Sequence, residues 1–293
     1  MVVPLVEHQH RLPLWHPAHT ALSRADTMGG MVSAAYRMVA TDLDGTVVRS
    51  DGTISARTRS ALGVADAAGA VIVLVTGRPP RWLEGIADQT GHRGLAICAN
   101  GALLYDLSTE TVIGAHPLPV ETLRHLVSVL REAIPDIAFA VEWVDDSFHH
   151  EPAYHPRWDS DQRALMMEID SMIAVPASKM LARHASLSAD DLLAAAREAV
   201  GDDTVATLTH SSADGLLEIS AAGVSKASAL ADFAAEHGID ASEVIAFGDM
   251  PNDLPMLAWA GYSVAVANAH PEVLEAADEV TARNDDDGVA RVL

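Results

Sequence analysis

A chain of 293 residues, 49% of them hydrophobic, is long enough to bury a large core in one domain or two. Its 41 acidic residues against 19 basic ones give a net charge of −22, which repels nucleic acid and anionic lipid, and no basic patch offsets it. No run reaches the ~18 consecutive apolar residues of a membrane span, and the single cysteine, Cys98 in the apolar run GLAICAN, reads as a buried thiol in the reducing cytoplasm.

Residues 1–36 are rich in Pro and His, lack periodicity, and read as a disordered extension. They have neither the basic start nor the continuous apolar stretch of a secretory signal. His8, His10, His16 and His19 are spaced too irregularly to argue for a metal site. Because folded pattern begins only near Arg37, translation from Met28, Met31 or Met38 is a hypothesis the sequence raises.

From Met38 short apolar runs alternate with helical segments, the pattern of a parallel sheet covered on both faces. RMVAT is the first strand. Ser55 caps a helix running to Ala68, and AVIVLV, continuous and β-branched, is a strand buried on both sides. Pro79 and Pro80 open the next helix and Gly91 closes it. GLAICAN is a third strand, and GALLYD with TVIGAH reads as a hairpin leading out of the sheet.

The pattern changes between about His116 and Gly215. A helix carrying Leu123, Leu126, Val127 and Leu130 on one face precedes IAFAVEW, where Ile137, Phe139, Val141 and Trp143 alternate. After a polar loop, a helix begins at Ser188, and TVATLTH and GLLEIS read as paired strands. Alternation then resumes, with a helix from Ser225 to His237, a strand EVIAFG, a helix from Asn252 to Ala260, a strand SVAVA and a final helix in PEVLEAADEV. The expected fold class is α/β, a doubly wound parallel Rossmann-like core of residues 37–115 and 216–293 with an α+β cap, residues 116–215, inserted into it.

Four polar features stand at strand ends or helix starts, where open α/β sheets place ligands. They are Asp42 and Asp44 in DLDGT, Thr76-Gly77-Arg78 after the second strand, Lys226 in the first turn of its helix, and GDMPND, Gly248 to Asp253. Singly, each has a structural explanation as a turn, a helix cap or a surface lysine. Their common placement argues against coincidence.

In that order the four stretches resemble the motifs of the haloacid dehalogenase-like phosphohydrolases, and the tail VANAHPEVLEAADEVTARNDDDGVARVL is similar to that of the Cof-type subgroup, which carries a large α/β cap. The resemblance implies Mg²⁺-dependent hydrolysis of a phosphomonoester. Asp42 would attack phosphorus to form an aspartyl-phosphate, while Asp44 protonates the leaving oxygen and then activates water. Mg²⁺ would be held by Asp42, the Asp44 carbonyl and Asp249, and Lys226 would add a fixed cation. Thr76 would hold the phosphoryl group. The turn of Leu43, Gly45 and Thr46, with Gly77, Arg78, Asn100 and Asn252, would bind phosphate or substrate, and Asp253 would support Lys226 and the metal.

Two departures from the family pattern, Ala227 for a glycine and VAVANA for a methionine-glycine loop, touch loop geometry and the role of Asn268. Asn100-Gly101 also reads as a hairpin turn, NDDDG as a solvated turn, and Met166, Met167 and Met172 as cap packing. His149 and His150, adjacent in sequence, point to opposite sides of a strand; one of them facing the substrate from the cap is the alternative to a structural role. The expected substrate is a small phosphorylated metabolite, a sugar phosphate first, with nucleotide, flavin-precursor and pyridoxal phosphates as alternatives. Phosphomutase or phosphotransferase chemistry, or phosphate-ligand binding without turnover, are the competing functions. Oligomeric state is not legible.

Overall fold

The computed structural model describes residues 36–156, 164–201, 205–212 and 215–293. Apart from Tyr36, the expected N-terminal extension and its histidines lie outside the described residues.

The chain opens with β1 (Met38–Thr41), α1 (Ala56–Ala67), β2 (Val71–Val75), α2 (Glu84–Thr90) and β3 (Leu95–Cys98). Ser55 caps α1, accepting from the Thr58 amide, and Gly91 ends α2 in the left-handed region at φ 72°. Two further strands, β4 (Leu103–Asp106) and β5 (Thr111–Ala115), lead to α3 (Val120–Ala133), β6 (Ala138–Trp143), β7 (Phe148–His150) and β8 (Ala164–Met166). Next come α4 (Ile169–Met172), β9 (Ala177–Arg183), α5 (Ala189–Val200), β10 (Ala206–Thr209) and β11 (Leu216–Ala221). The last stretch holds α6 (Lys226–Glu236), β12 (Val244–Gly248), α7 (Leu254–Trp259), β13 (Tyr262–Val266), α8 (Pro271–Ala276), β14 (Glu279–Thr281) and α9 (Gly288–Val292).

These strands make two sheets. The first runs β14-β13-β12-β1-β2-β3-β4-β5, parallel from β14 to β3 and antiparallel from there to β5. Its central strands β1 and β12 are buried along their whole length, which is why they read as unbroken apolar runs. Helix α1 packs with α2 and α9, while α7 packs with α6 and α8. Chain order reverses between β1, which leads on to β2, and its other neighbour β12, so a crevice opens beyond the carboxyl ends of these two strands.

The second sheet runs β10-β11-β9-β6-β7-β8 and is antiparallel except for the β7–β8 pair. Phe139, Val141, Met180 and Ala182 on one face pack against Leu123, Leu126 and Leu130 of α3 and Leu192 of α5. Period-2 alternation puts Ala138, Ala140, Phe148 and Leu181 on the other face.

Several expectations change. The β4–β5 hairpin does not leave the sheet but extends its edge, because β4 pairs with β3 over four residue pairs from Leu95–Asp106 to Cys98–Leu103. Strand β11 belongs to the second sheet, paired with β9 and β10, so that unit reaches beyond Gly215 to Ala221. The tail ends in a short helix, an edge strand and another short helix, not in one final helix. The NDDDG turn is not merely solvated: Asp287 pairs with Arg49 at 2.5 Å and the Asn284 Nδ2 donates to the Val48 carbonyl at 2.9 Å, docking the tail on the loop after β1. Met172 is buried, but Met166 is 66% exposed on edge strand β8. Among the described residues no helix is long and apolar enough to cross a membrane.

Candidate active site

Asp42 follows β1 and Asp249 follows β12. Because the strands are adjacent and in register at Thr41–Phe247, and the Asp42 amide donates to the Phe247 carbonyl at 3.0 Å, the two carboxylates converge at the mouth of the crevice. Gly45 makes this approach possible: its φ is +81°, and a Cβ there would lie 2.1 Å from Asp249 Oδ2. Ser225 caps α6 so that Lys226, its first residue, points inward.

The Lys226 ammonium donates to Asp42 Oδ1 and Asp253 Oδ1, each at 2.6 Å, with its side chain wholly buried. Burial opposes its charge, but Asp253 and Asp42 outweigh that and raise its pKa. Both oxygens of Asp253 are engaged, its Oδ2 accepting from the amides of Asp249 and Met250 at 3.0 Å each. One oxygen from each of Asp42, Asp249 and Asp253 lies within 4.8 Å of the others, so one ammonium faces three carboxylates. Burial pushes the Asp42 carboxyl up to about 7 despite Lys226. Burial, reinforced by the charges of Asp42 and Asp253, pushes Asp249 up to about 9.

This excess of buried negative charge fits a hard divalent cation bound by oxygen donors. Asp42 and Asp249 are the side chains with oxygens to give it, Asp253 being occupied. Asn252 Oδ1, buried and without a hydrogen-bond partner among the described residues, adds an unused acceptor in the same cavity.

Other residues expected at the phosphate fall into different positions. Thr76 Oγ1 accepts from the Arg78 amide at 3.0 Å, which leaves its hydroxyl proton to donate into the cavity it lines. Thr46 instead turns its hydroxyl to Asp249 Oδ1 at 3.2 Å. Leu43 buries its side chain in the core and its carbonyl accepts from the Val48 amide at 2.8 Å, so the part of it expected at the phosphate is its backbone amide. Arg78, which lines the cavity, is paired with Asp44. Asn100, in the left-handed region at φ 57°, is no plain hairpin turn: it accepts from Asn252 Nδ2 at 3.0 Å and donates to Glu218 Oε2 at 3.2 Å. A Cβ at Gly77 would meet Asn100 Oδ1 at 3.1 Å, a tight fit. Asn268 Nδ2 donates to the Gly45 carbonyl at 2.8 Å, bracing the turn that carries Asp44.

The site also contains a buried charge cluster that the sequence reading missed. Lys179 Nζ donates to the Gly77 carbonyl at 2.7 Å and to Glu218 Oε1 at 3.0 Å, and Arg81 Nη2 donates to Glu142 Oε1 at 3.0 Å. Burial works against the Lys179 charge, yet Glu142 and Glu218 raise its pKa, while Lys179 overcomes burial to lower that of Glu218. The signal was available: each of AFAVEW, ASKML and LLEIS carries a lone charge inside an apolar strand. His149 and His150 do not line the cavity; the His149 ring packs 3.8 Å from that of Trp143, and His150 Nδ1 lies 2.8 Å from the Glu151 carbonyl.

Asp42, Asp44, Asp249, Thr76, Glu142 and Lys179 border one cavity of about 560 Å³ between the crevice of the first sheet and the helix-free face of the second. The sequence model of the haloacid dehalogenase-like hydrolases matches residues 39–293. The chain is 30% identical over 268 residues to the pyridoxal phosphate phosphatase YbhA of Escherichia coli (strain K12), covering 88% of this chain and 97% of the relative. It is 28% identical over 264 residues to the 5-amino-6-(5-phospho-D-ribitylamino)uracil phosphatase YitU of Bacillus subtilis (strain 168), covering 87% and 96%. Its fold matches that of the HAD subclass IIB sugar phosphatase BT4131 with a TM-score of 0.73 at 22% identity, over 87% of this chain and 97% of that one. Ordered motifs, sheet topology and family match lead to one conclusion: the chain belongs to the haloacid dehalogenase-like hydrolases, in their Cof-type subgroup.

Proposed function

We propose that this hydrolase is a cytoplasmic, Mg²⁺-dependent phosphatase that cleaves a small phosphomonoester through a phosphate bound covalently to Asp42. The observation that carries this reading is the buried Lys226 ammonium fixed at 2.6 Å on Oδ1 of Asp42, which lines one cavity together with Asp249. A carboxylate can attack an anionic phosphoryl group only where positive charge offsets the repulsion.

Lys226 orients Asp42 through Oδ1, so Oδ2 is the oxygen that bonds to phosphorus as the ester P–O bond breaks. Asp44, released from Arg78 and protonated, gives its proton to the departing oxygen. It then takes a proton from water, whose oxygen attacks phosphorus and breaks the bond to Asp42, freeing phosphate. Thr76 steadies the phosphoryl group with its free hydroxyl proton. Mg²⁺, held by Asp42, Asp249 and the Asp44 carbonyl, would supply charge neutralisation at the phosphoryl oxygens.

In this reading the first sheet is the catalytic core and the second a cap whose boundaries fall after Ala115 and Ala221. The names of the relatives YbhA and YitU favour a small phosphorylated metabolite as substrate. Asp42→Asn tests the proposal. Phosphate release from 4-nitrophenyl phosphate should vanish while the circular dichroism spectrum and unfolding cooperativity persist; turnover at the wild-type rate would overturn it.

A further inference from the structure

Beyond the phosphate end, the cavity wall is the face of the second sheet that carries Glu142, Phe148 and Leu181. Glu142 and Phe148 stand directly opposite each other in the β6–β7 register, so an acceptor and a ring present themselves side by side. Tyr154 extends the ring wall, its centroid 6.2 Å from that of Phe148 in an edge-on arrangement.

Glu142 is almost wholly buried, with its side chain 4% exposed. Its Oε1 is taken by Arg81, but its Oε2 has no hydrogen-bond partner among the described residues. The Lys179 ammonium lies 3.6 Å away, too far for a hydrogen bond, and is committed to Gly77 and Glu218. A buried carboxylate oxygen without a donor is unfavourable, so the position favours a ligand N–H or O–H. A second cation is disfavoured there, because Arg81 and Lys179 already flank the group. Apart from the Tyr154 hydroxyl, the neighbouring wall of Phe148, Tyr154 and Leu181 offers hydroxyl groups little in exchange for lost water, whereas a flat ring packs well on aromatic side chains.

We infer that the leaving group is a flat ring bearing an N–H or O–H donor, the ring lying on Phe148 and Tyr154 and the donor meeting Glu142 Oε2, which makes Glu142 and Phe148 specificity-determining residues. This rests on the phosphatase reading above. It narrows that reading from phosphorylated metabolites in general to ring-bearing ones, against an open-chain or saturated sugar phosphate.

The test uses the full chain with Mg²⁺ and three probes: pyridoxal 5′-phosphate, a ring whose N–H is the donor at neutral pH while its hydroxyl is ionised; 4-nitrophenyl phosphate, a ring without a donor; and glucose 6-phosphate, rich in donors but lacking a flat ring. Wild-type kcat/KM for pyridoxal phosphate should exceed that for glucose 6-phosphate by about tenfold or more. Glu142→Gln should lower the pyridoxal phosphate to 4-nitrophenyl phosphate ratio about tenfold, mainly through KM. Phe148→Leu keeps every charge of the cluster, although it removes the ring over which the Arg81 guanidinium sits at 5.6 Å, and should lower the pyridoxal phosphate to glucose 6-phosphate ratio, so the test survives a Glu142 variant that fails to fold. A wild-type ratio below that margin, or a Phe148→Leu loss equal for all probes, overturns the inference and leaves the phosphatase reading standing. No phosphate release from any probe overturns both.

Discussion

Arg78 grips both carboxylate oxygens of Asp44, Nε donating to Oδ2 at 2.7 Å and Nη2 to Oδ1 at 2.6 Å. The same guanidinium is anchored by Nη1 on the Trp82 carbonyl at 3.1 Å. With both oxygens held by one planar fork, Asp44 is turned to Arg78 and not toward a leaving group. The fork is therefore a resting position that Asp44 leaves in order to act as an acid. Asp44→Asn is expected to reduce kcat about 10²–10⁴-fold for an alkyl phosphate. In single-turnover release of the alcohol the loss should be much smaller for 4-nitrophenyl phosphate, whose leaving group departs without protonation, although kcat falls for both substrates because Asp44 also activates the water. Equal losses in that first step would show that Asp44 does not serve as the proton donor.

The crowding of Asp42 and Asp249 ties stability to pH and to metal. Their carboxyls are raised to about 7 and about 9, above the ordinary value of 3.8, so the folded chain holds protons that the unfolded chain has already released. Without metal, stability from these groups is complete below pH ~4 and is lost as pH rises through about 7 and then about 9. A divalent cation competes with those protons, so its stabilisation grows over the same window. Thermal unfolding with chelator and with saturating Mg²⁺ should therefore give a larger difference in Tm at pH 8.5 than at pH 6. A difference that shrinks with rising pH would contradict this account of the cluster.

Most of the sheet core was legible in the sequence because strands buried on both faces leave continuous apolar runs, as β1, β2 and β12 do. Asp42, Thr76, Lys226 and Asp249 were legible because strand ends and helix starts are marked locally, and adjacent parallel strands bring such ends together. What escaped depends on partners distant in the chain. Glu142, Lys179 and Glu218 are single charges whose meaning comes from strand neighbours and from Gly77, 102 residues from Lys179. The docking of Asn284 on the Val48 carbonyl spans 236 residues, and no local pattern announces it. The pairing of β11 with β10 was legible, but the boundary at Gly215 cut β11 from that unit because an apolar strand between two sheets carries no local mark of where one domain ends.

Lys226 is where structure and chemistry make the most separable demands. Its ammonium is the shared partner of Asp42 and Asp253, and all three side chains are buried. Lys226→Met keeps most of the side-chain volume and removes the charge, leaving two carboxylates without their counter-ion. The expected destabilisation in metal-free protein at pH 8 is about 3–5 kcal/mol, read from denaturant unfolding, together with loss of turnover. The penalty comes from ionised carboxylates, so protonating them relieves it, and the difference from wild type should be smaller at pH 5.5. Adding Asp253→Asn removes one of the stranded charges and should restore part of the stability at pH 8 without restoring activity, a positive coupling in a double-mutant cycle. A Lys226→Met penalty that is the same at both pH values and indifferent to Asp253→Asn would mean that lost packing, not charge, is what Lys226 contributes.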